Sequence, residues 1–272
     1  MNVADDGMNF SFNRVAAMVR RYWYLLRSSW PRILDLIYWP TVQMLMWGFL
    51  QVYISQNTGF FARAGGVFIG SVLLWDTLFR GQLGFSISFL EEMYARNLGN
   101  IMMSPLRPAE FLLSLMIMSI VRLSIGMIPV SFLAIAFFGF NLWALGIALA
   151  AFFVNLILTS WAVGIFVAGL LLRNGLGAES MAWTIMFLFL PLTCVYYPVA
   201  VLPGWLQHVA WALPPTYVFE GMRALVIDHV FRADLMGQAL ALNTVLFAAA
   251  SLAFFKLLQS ARAQGSLLQT GE

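Results

Sequence analysis

Asp76 and Arg80 stand four residues apart inside a long apolar stretch, and Arg122 stands inside another. An ionisable group at the centre of a bilayer costs about 2.5–3.5 kcal/mol on insertion scales and is as a rule paired. A spacing of four puts Asp76 and Arg80 on one helical face. At 1.5 Å per residue, Asp76 and Arg122 each lie about 20 Å from the same end of their runs. The three charges are therefore expected to meet at one depth. Two roles fit such a cluster: a polar element on a transport path, or a structural bridge locking two helices.

A second group of chemistry-bearing residues lies between those runs. Glu91, Glu92 and Arg96 are followed by Leu98, Ile101, Met102 and Met103, then by Ser104-Pro105. This reads as a short helix outside the membrane, with charge at its start, an apolar contact face and a proline stop. Methionines suit a docking surface that must adapt. The alternative is a helix that merely caps the bundle. Later in the chain Glu220 and Arg223 are three apart on a short helix. Asp35, Glu110, Arg173 and Glu179 fall near the ends of apolar runs and read as solvated or interfacial.

Catalytic and metal chemistry find little support. His208 and His229 are 21 residues apart with Asp228 and Asp234 nearby, Cys194 is the single cysteine, and no nucleophile stands beside a base. Most metal sites need three or four ligands. The one lysine, Lys256, lies between Phe255 and Leu257 with no glycine loop, so the chain carries no Walker A motif.

The elements that must position these residues follow from composition. Of 272 residues, 61% are hydrophobic and 10% charged, and mean hydropathy is +0.83. Soluble domains carry about 25% charged residues. These values exclude an ordinary soluble domain, a disordered chain and a disulfide scaffold. A membrane β-barrel is excluded because its strands alternate over about 10 residues. A spanning helix needs about 20 mostly apolar residues. Six segments qualify: 33–54, 66–89, 109–137, 142–171, 180–197 and 239–258. Prolines 40, 129 and 191 should bend three of them. The stretch 198–231, broken by Pro198, Pro203, Pro214 and Pro215, reads as short helices dipping into the outer interface. The expectation is an all-α polytopic membrane protein, one domain over 1–272, with a membrane region at 33–258 and a tail at 259–272.

Orientation follows from the basic residues. Six spans put ten of the fifteen Lys+Arg on the side of both termini and three, Arg63, Arg223 and Arg232, on the other. Both termini are therefore expected in the cytoplasm. Residues 1–32 lack a basic leader and a short apolar core, with Asp5 and Asp6 near the start, and are expected to stay on the chain. Within them Phe12, Val15, Ala16, Val19, Tyr22, Trp23, Leu26 and Trp30 form a helical stripe about 120° wide. Arg14 and Arg21 project opposite it, and Arg20 and Arg27 flank it. This predicts an amphipathic helix lying on the inner leaflet, broken from the first span near Pro31.

An amphipathic N-terminal helix, two spans and an acidic-then-apolar loop ending in Ser104-Pro105-Leu106 resemble the ABC-type-2 permeases, membrane subunits of ATP-binding-cassette exporters. So does the stretch from Leu202-Pro203-Gly204-Trp205-Leu206 to Pro214-Pro215-Thr216-Tyr217, with Glu220 and Arg223 following. Arg96-Asn97-Leu98-Gly99-Asn100 stands where the family loop often reads Glu-Arg-Glu-x-Gly-Thr. The resemblance implies that two such subunits pair as a homodimer in a bacterial inner membrane. Two copies of a separate ATPase, carrying ATP and magnesium, would bind beneath them, while this chain holds no cofactor and no nucleic acid. The coupling helix would use Glu91, Glu92, Arg96, Leu98, Ile101, Met102 and Pro105. Pro215, Thr216, Tyr217, Glu220 and Arg223 would form an outer re-entrant motif bracing the outer gate. Spans one, two and five would face the dimer seam; of Tyr38, Trp39, Trp47, Tyr53 and Trp75 on the first two, most read as core or lipid-facing belt residues and some would line an apolar substrate cavity at that seam. Export of a lipid, glycolipid or drug-like amphiphile is the implied function. A secondary transporter is the alternative, though no second copy of the one broken region is visible. An intramembrane enzyme lacks a catalytic grouping.

Overall fold

The computed structural model describes residues 10–57 and 66–264. Arg63, Asp5 and Asp6 lie outside them. Among the described residues there is no strand and there are ten α-helices: α1 Phe12–Arg27, α2 Trp30–Asn57, α3 Val67–Tyr94, α4 Leu98–Met103, α5 Pro108–Phe138, α6 Ile147–Asn174, α7 Met181–Leu192, α8 Gly204–Trp211, α9 Pro214–Asp228 and α10 Ala233–Gln264.

Four of these, α2, α5, α6 and α10, are long and apolar enough to cross a membrane. The others expected as spans differ. Helix α3 has 28 residues but carries Asp76, Arg80, Gln82 and several serines, which lower its apolarity. It is the central helix, packed by α2, α5, α6, α7 and α9. Of its buried serines, Ser88 donates to Gly84 O at 2.9 Å and Ser86 accepts from the Gln82 amide at 2.9 Å, while the Ser71 hydroxyl has no partner among the described residues. Helix α7 stops after 12 residues, or roughly 18 Å, against a hydrocarbon core of about 30 Å. The expected span 180–197 is thus not one helix. Pro191 falls in its last turn, and Cys194 turns the chain with φ 55°.

Other boundaries move for local reasons. Residues 142–145 form a 3₁₀ turn, and Gly146 with φ 55° separates it from α6. The last helix starts at Ala233, six residues before the expected 239. The break between α1 and α2 falls at Ser28-Ser29, and Pro31 sits in the first turn of α2, where its missing N–H costs nothing.

Helix pairs are held by close approach and by polar contacts. Pro40 cannot donate to the Leu36 carbonyl, and Gly126 of α5 packs onto that freed oxygen: a Cβ at 126 would lie 2.5 Å from it. Between α6 and α10, the Thr159 hydroxyl donates to Asn243 Oδ1 at 2.6 Å. The Asn243 amide donates to Asn155 O at 2.9 Å and to its Oδ1 at 3.1 Å. In an apolar medium such satisfied side chains act as interhelical glue.

Candidate functional site

The residues between α3 and α5 are shaped by three local signals. Arg96 adopts φ 52°. Its N–H donates to Met93 O, and the Asn97 N–H donates to Glu92 O, each at 3.0 Å. That is a Schellman stop with arginine where glycine is usual. Helix α4 then runs six residues until Ser104, forced extended (ψ 165°) by the following Pro105. Pro108 opens α5, and Glu110 at the third position accepts from the Arg107 N–H at 3.0 Å.

The three carboxylates at the roots of this segment are each claimed by arginines from other helices. Glu110 accepts Arg14 Nε at 2.8 Å, Arg14 Nη2 at 2.6 Å and the Ser11 N–H at 2.7 Å. Glu92 takes both Nη atoms of Arg21, one of them at 3.0 Å, and the Asn97 amide at 2.9 Å. Glu91 bridges Arg32 of α2 at 3.2 Å and Arg122 of α5 at 2.9 Å. The paired carboxylates hold the guanidinium groups of Arg14 and Arg21 more firmly protonated than usual. Arg21 also lies 5.5 Å over the Tyr22 ring. Burial, then the neighbouring Glu92, pushes the Tyr22 phenol well above its ordinary range.

Helix α1 is therefore bolted down. Arg14 and Arg21 reach Glu110 and Glu92 rather than projecting freely away from the bundle. The apolar stripe splits. Val15, Tyr22 and Leu26 pack into the core, while Phe12 and Trp30 remain about three-quarters exposed (75% and 73%).

The apolar face of α4 also turns inward. Leu98 and Ile101 join the core that contains Phe89 and Phe111, and Met102 is partly buried against it. The expectation that they lie open for a partner is corrected: an amphipathic helix on a bundle already has an apolar surface to bury against. What faces outward is Met103 (75% exposed), Tyr94 (54%), the polar Arg96, Asn100 and Ser104, and Pro105.

The expected three-charge cluster is divided. Asp76 Oδ1 lies 3.7 Å from Arg80 Nε. Neither Asp76 oxygen nor Arg80 Nε has a hydrogen-bond partner among the described residues. Arg122 does not join them. Phe89 meets Phe111 (ring centroids 6.0 Å apart), and Gly84 meets Ser119. This antiparallel register does bring Arg122 level with Arg80. Side chains lean toward the start of their own helix, however. Arg122 thus leans toward the α1 end and Glu91 leans up to meet it.

At the far end, the α9 residues brace the chain that precedes them. The Thr216 hydroxyl donates to Ala210 O at 2.6 Å and the Tyr217 hydroxyl to Trp211 O at 2.8 Å. Pro215 is buried in the first turn of α9. Arg223 donates to Glu220 at 2.9 Å and to Cys194 O at 2.9 Å, and Glu220 accepts the Val199 N–H at 2.7 Å. The pair holds the turn after α7 in place.

Sequence reasoning missed Glu110, Arg14, Arg21 and Arg32 as partners of the loop. Glu110 was legible as the third residue after a proline-opened helix. Arg14 and Arg21, seven apart, share a face. His208 and His229 lie exposed and apart from this segment, and no group of three metal-ligating side chains occurs among the described residues.

The family model described as ABC-2 type transporter aligns with residues 14–227, which takes in α1 to α9. No curated protein matches the chain.

Proposed function

Because the chain belongs to the ABC-2 type transporter family, we propose that it is the permease subunit of an exporter whose ATP and magnesium are held by a separate ATPase. The observation that carries this reading is the clamp around α4. Its root carboxylates are tied to α1, α2 and α5, so a displacement of the 95–107 segment cannot occur without moving three helices. The missing Walker A motif supports an energy source outside this chain.

In this reading α2, α3, α5, α6, α7 with its flanking turn, and α10 make six crossings of a bacterial inner membrane, within one domain over 1–272. Both termini and α4 face the cytoplasm, in line with the bias of arginines to that end. The far-end helices α8 and α9 are re-entrant and steady the outer gate. Two copies of the chain pair. The aromatic face of α2, where Tyr38, Trp39, Phe49 and Tyr53 are more than half exposed, supports a seam there. The cargo is an amphiphile of lipid, glycolipid or drug-like character.

The ATPase docks on the outward face of the loop: Tyr94, Arg96, Asn100 and Met103. Affinity purification from native membranes, with mass spectrometry of the copurifying chains, tests this. Wild type should bring down a Walker A-containing ATPase in equal amount. Tyr94→Ala with Met103→Asp should lose it while the protein stays folded and membrane-inserted. If the double variant retains the ATPase in full, the docking face is wrong; if wild type captures no ATPase, the permease reading falls.

A further inference from the structure

We infer that the end of the bundle far from α1 holds a binding site for the ammonium group of an amphipathic organic cation. A half-open cavity of about 600 Å³ lies there, among the C-terminal half of α9, the turn after α7 and the first residues of α3 and α10. Four charged side chains line it: Glu220, Arg223, Asp228 and Arg232. Tyr196 and Trp211 supply aromatic wall, and Ile227 and Leu235 supply apolar wall.

Which ligand fits depends on which charges are already engaged. Arg223 is buried, and its two Nη atoms serve Glu220 and the carbonyls of Cys194 and Val195. Arg232 is held by both oxygens of Asp234, at 2.9 and 2.7 Å. Glu220 carries Arg223 and the Val199 N–H on one oxygen. Asp228 has neither a hydrogen bond nor an ion pair among the described residues. The two guanidinium charges around the cavity are therefore balanced by Glu220 and Asp234, although Arg223 Nε makes no hydrogen bond among the described residues, and the Asp228 carboxylate is left without a counter-charge there.

Position strengthens that excess. Asp228 is the last residue of α9, a helix of 15 residues. The unsatisfied carbonyls at a helix C-terminus carry partial negative charge. Asp228 is exposed, and its carboxylate adds to the negative potential at that end, which favours a cation over an anion. His229, the next residue, is exposed and caps the helix in the left-handed region.

The walls choose among cations. Aromatic faces attract ammonium groups, most strongly when desolvated. Trp211 and Tyr196 line the cavity, one face of Tyr196 being stacked on Trp47, and neither a hydrated inorganic ion nor a compact polyamine would use the apolar side at Ile227 and Leu235. An anion would meet the unpaired Asp228 where the guanidinium charges of Arg223 and Arg232 are already balanced by Glu220 and Asp234. An uncharged amphiphile would leave Asp228 as it is.

Two sources share this chemistry: a diffusible cationic amphiphile, and the ammonium of a membrane lipid headgroup. As a substrate class, the assignment rests on the permease reading; as a binding site, it needs no ATPase. The test therefore uses the full-length chain alone, in nanodiscs of phosphatidylglycerol, with hexyltrimethylammonium, hexanol and hexanoate as probes and saturation-transfer NMR as the readout. Hexyltrimethylammonium should bind, and at least tenfold more tightly than hexanol, with no binding of hexanoate. Asp228→Asn should weaken the cation at least tenfold without changing the thermal midpoint, and Asp228→Glu should keep most of the affinity. Trp211→Leu, assayed likewise, should weaken the cation more than it weakens hexanol. Equal cation binding by wild type and Asp228→Asn, or equal binding of hexanoate, would overturn the assignment while leaving the ATPase docking test untouched. Added phosphatidylethanolamine separates the two sources. Competition with the probe gives the site to a headgroup, and indifference gives it to a diffusible cation.

Discussion

Arg122 of α5 and Glu91 of α3 are joined at 2.9 Å across 31 residues of sequence, and this contact ties the middle of α5 to the C-terminal end of α3. Arg122 is 5% exposed, and Glu91, at 19%, is shared with Arg32. Removing one partner of a buried pair leaves an uncompensated charge and costs about 3–5 kcal/mol. Arg32 partly covers for Arg122 at Glu91, but nothing equivalent covers for Glu91 at Arg122. Glu91→Ala should therefore lower the thermal midpoint more than Arg122→Ala. The double variant should recover part of the loss, with a coupling of about 1–3 kcal/mol. Additive losses in a fluorescence size-exclusion melt would show that the pair is not a unit.

Asp76 is held less firmly than Glu91, because its single partner sits at 3.7 Å and its oxygens accept no hydrogen bond. Asp76→Ala strands Arg80, whereas Asp76→Ala with Arg80→Ala removes both charges. Folded yield should fall further in the single variant than in the double. Equal yields would mean that the two charges do not depend on one another.

The contact of Gly126 with the Leu36 carbonyl has no room for a methyl group. Gly126→Ala must push α2 and α5 apart, and overpacking of this kind costs about 1–3 kcal/mol. Pro40→Ala restores a donor to the same carbonyl, so it should not rescue Gly126→Ala. The midpoint of thermal unfolding in detergent measures both, and an unchanged midpoint for Gly126→Ala would contradict the packing.

Asn243 closes the polar network between α6 and α10. Interhelical hydrogen bonds of this type average about 0.6 kcal/mol and reach roughly 1.7. Asn243→Leu should cost at least that much, since Asn155 and Thr159 lose a partner together. Thr159→Val should cost less, because the Asn155–Asn243 bonds remain. The reverse ranking in equilibrium unfolding would displace Asn243 from the centre of the network.

Much of this protein was legible before its tertiary structure. Apolar runs of 20 residues or more specify helices in lipid whatever surrounds them, so α2, α3, α5, α6 and α10 appear near their expected limits. Pro31, Pro105 and Pro108 mark their boundaries because proline acts on its own backbone. Asp76 and Arg80 could be paired because four residues on one helix fix their relation. Partners on different helices follow another rule. Arg122 was matched by depth to Asp76 and bonds Glu91 instead, since side-chain lean and helix register, not rise alone, set where a long guanidinium ends. Leu98 and Ile101 read as an open face because their spacing is amphipathic. Only the fold shows that the bundle already covers them. Cys194 and Val195 accept from Arg223 through backbone carbonyls, a contact that leaves no trace in residue type. Helix length, charge spacing and proline breaks are local and survive in the sequence, whereas the choice of partner is made when separate helices are brought side by side.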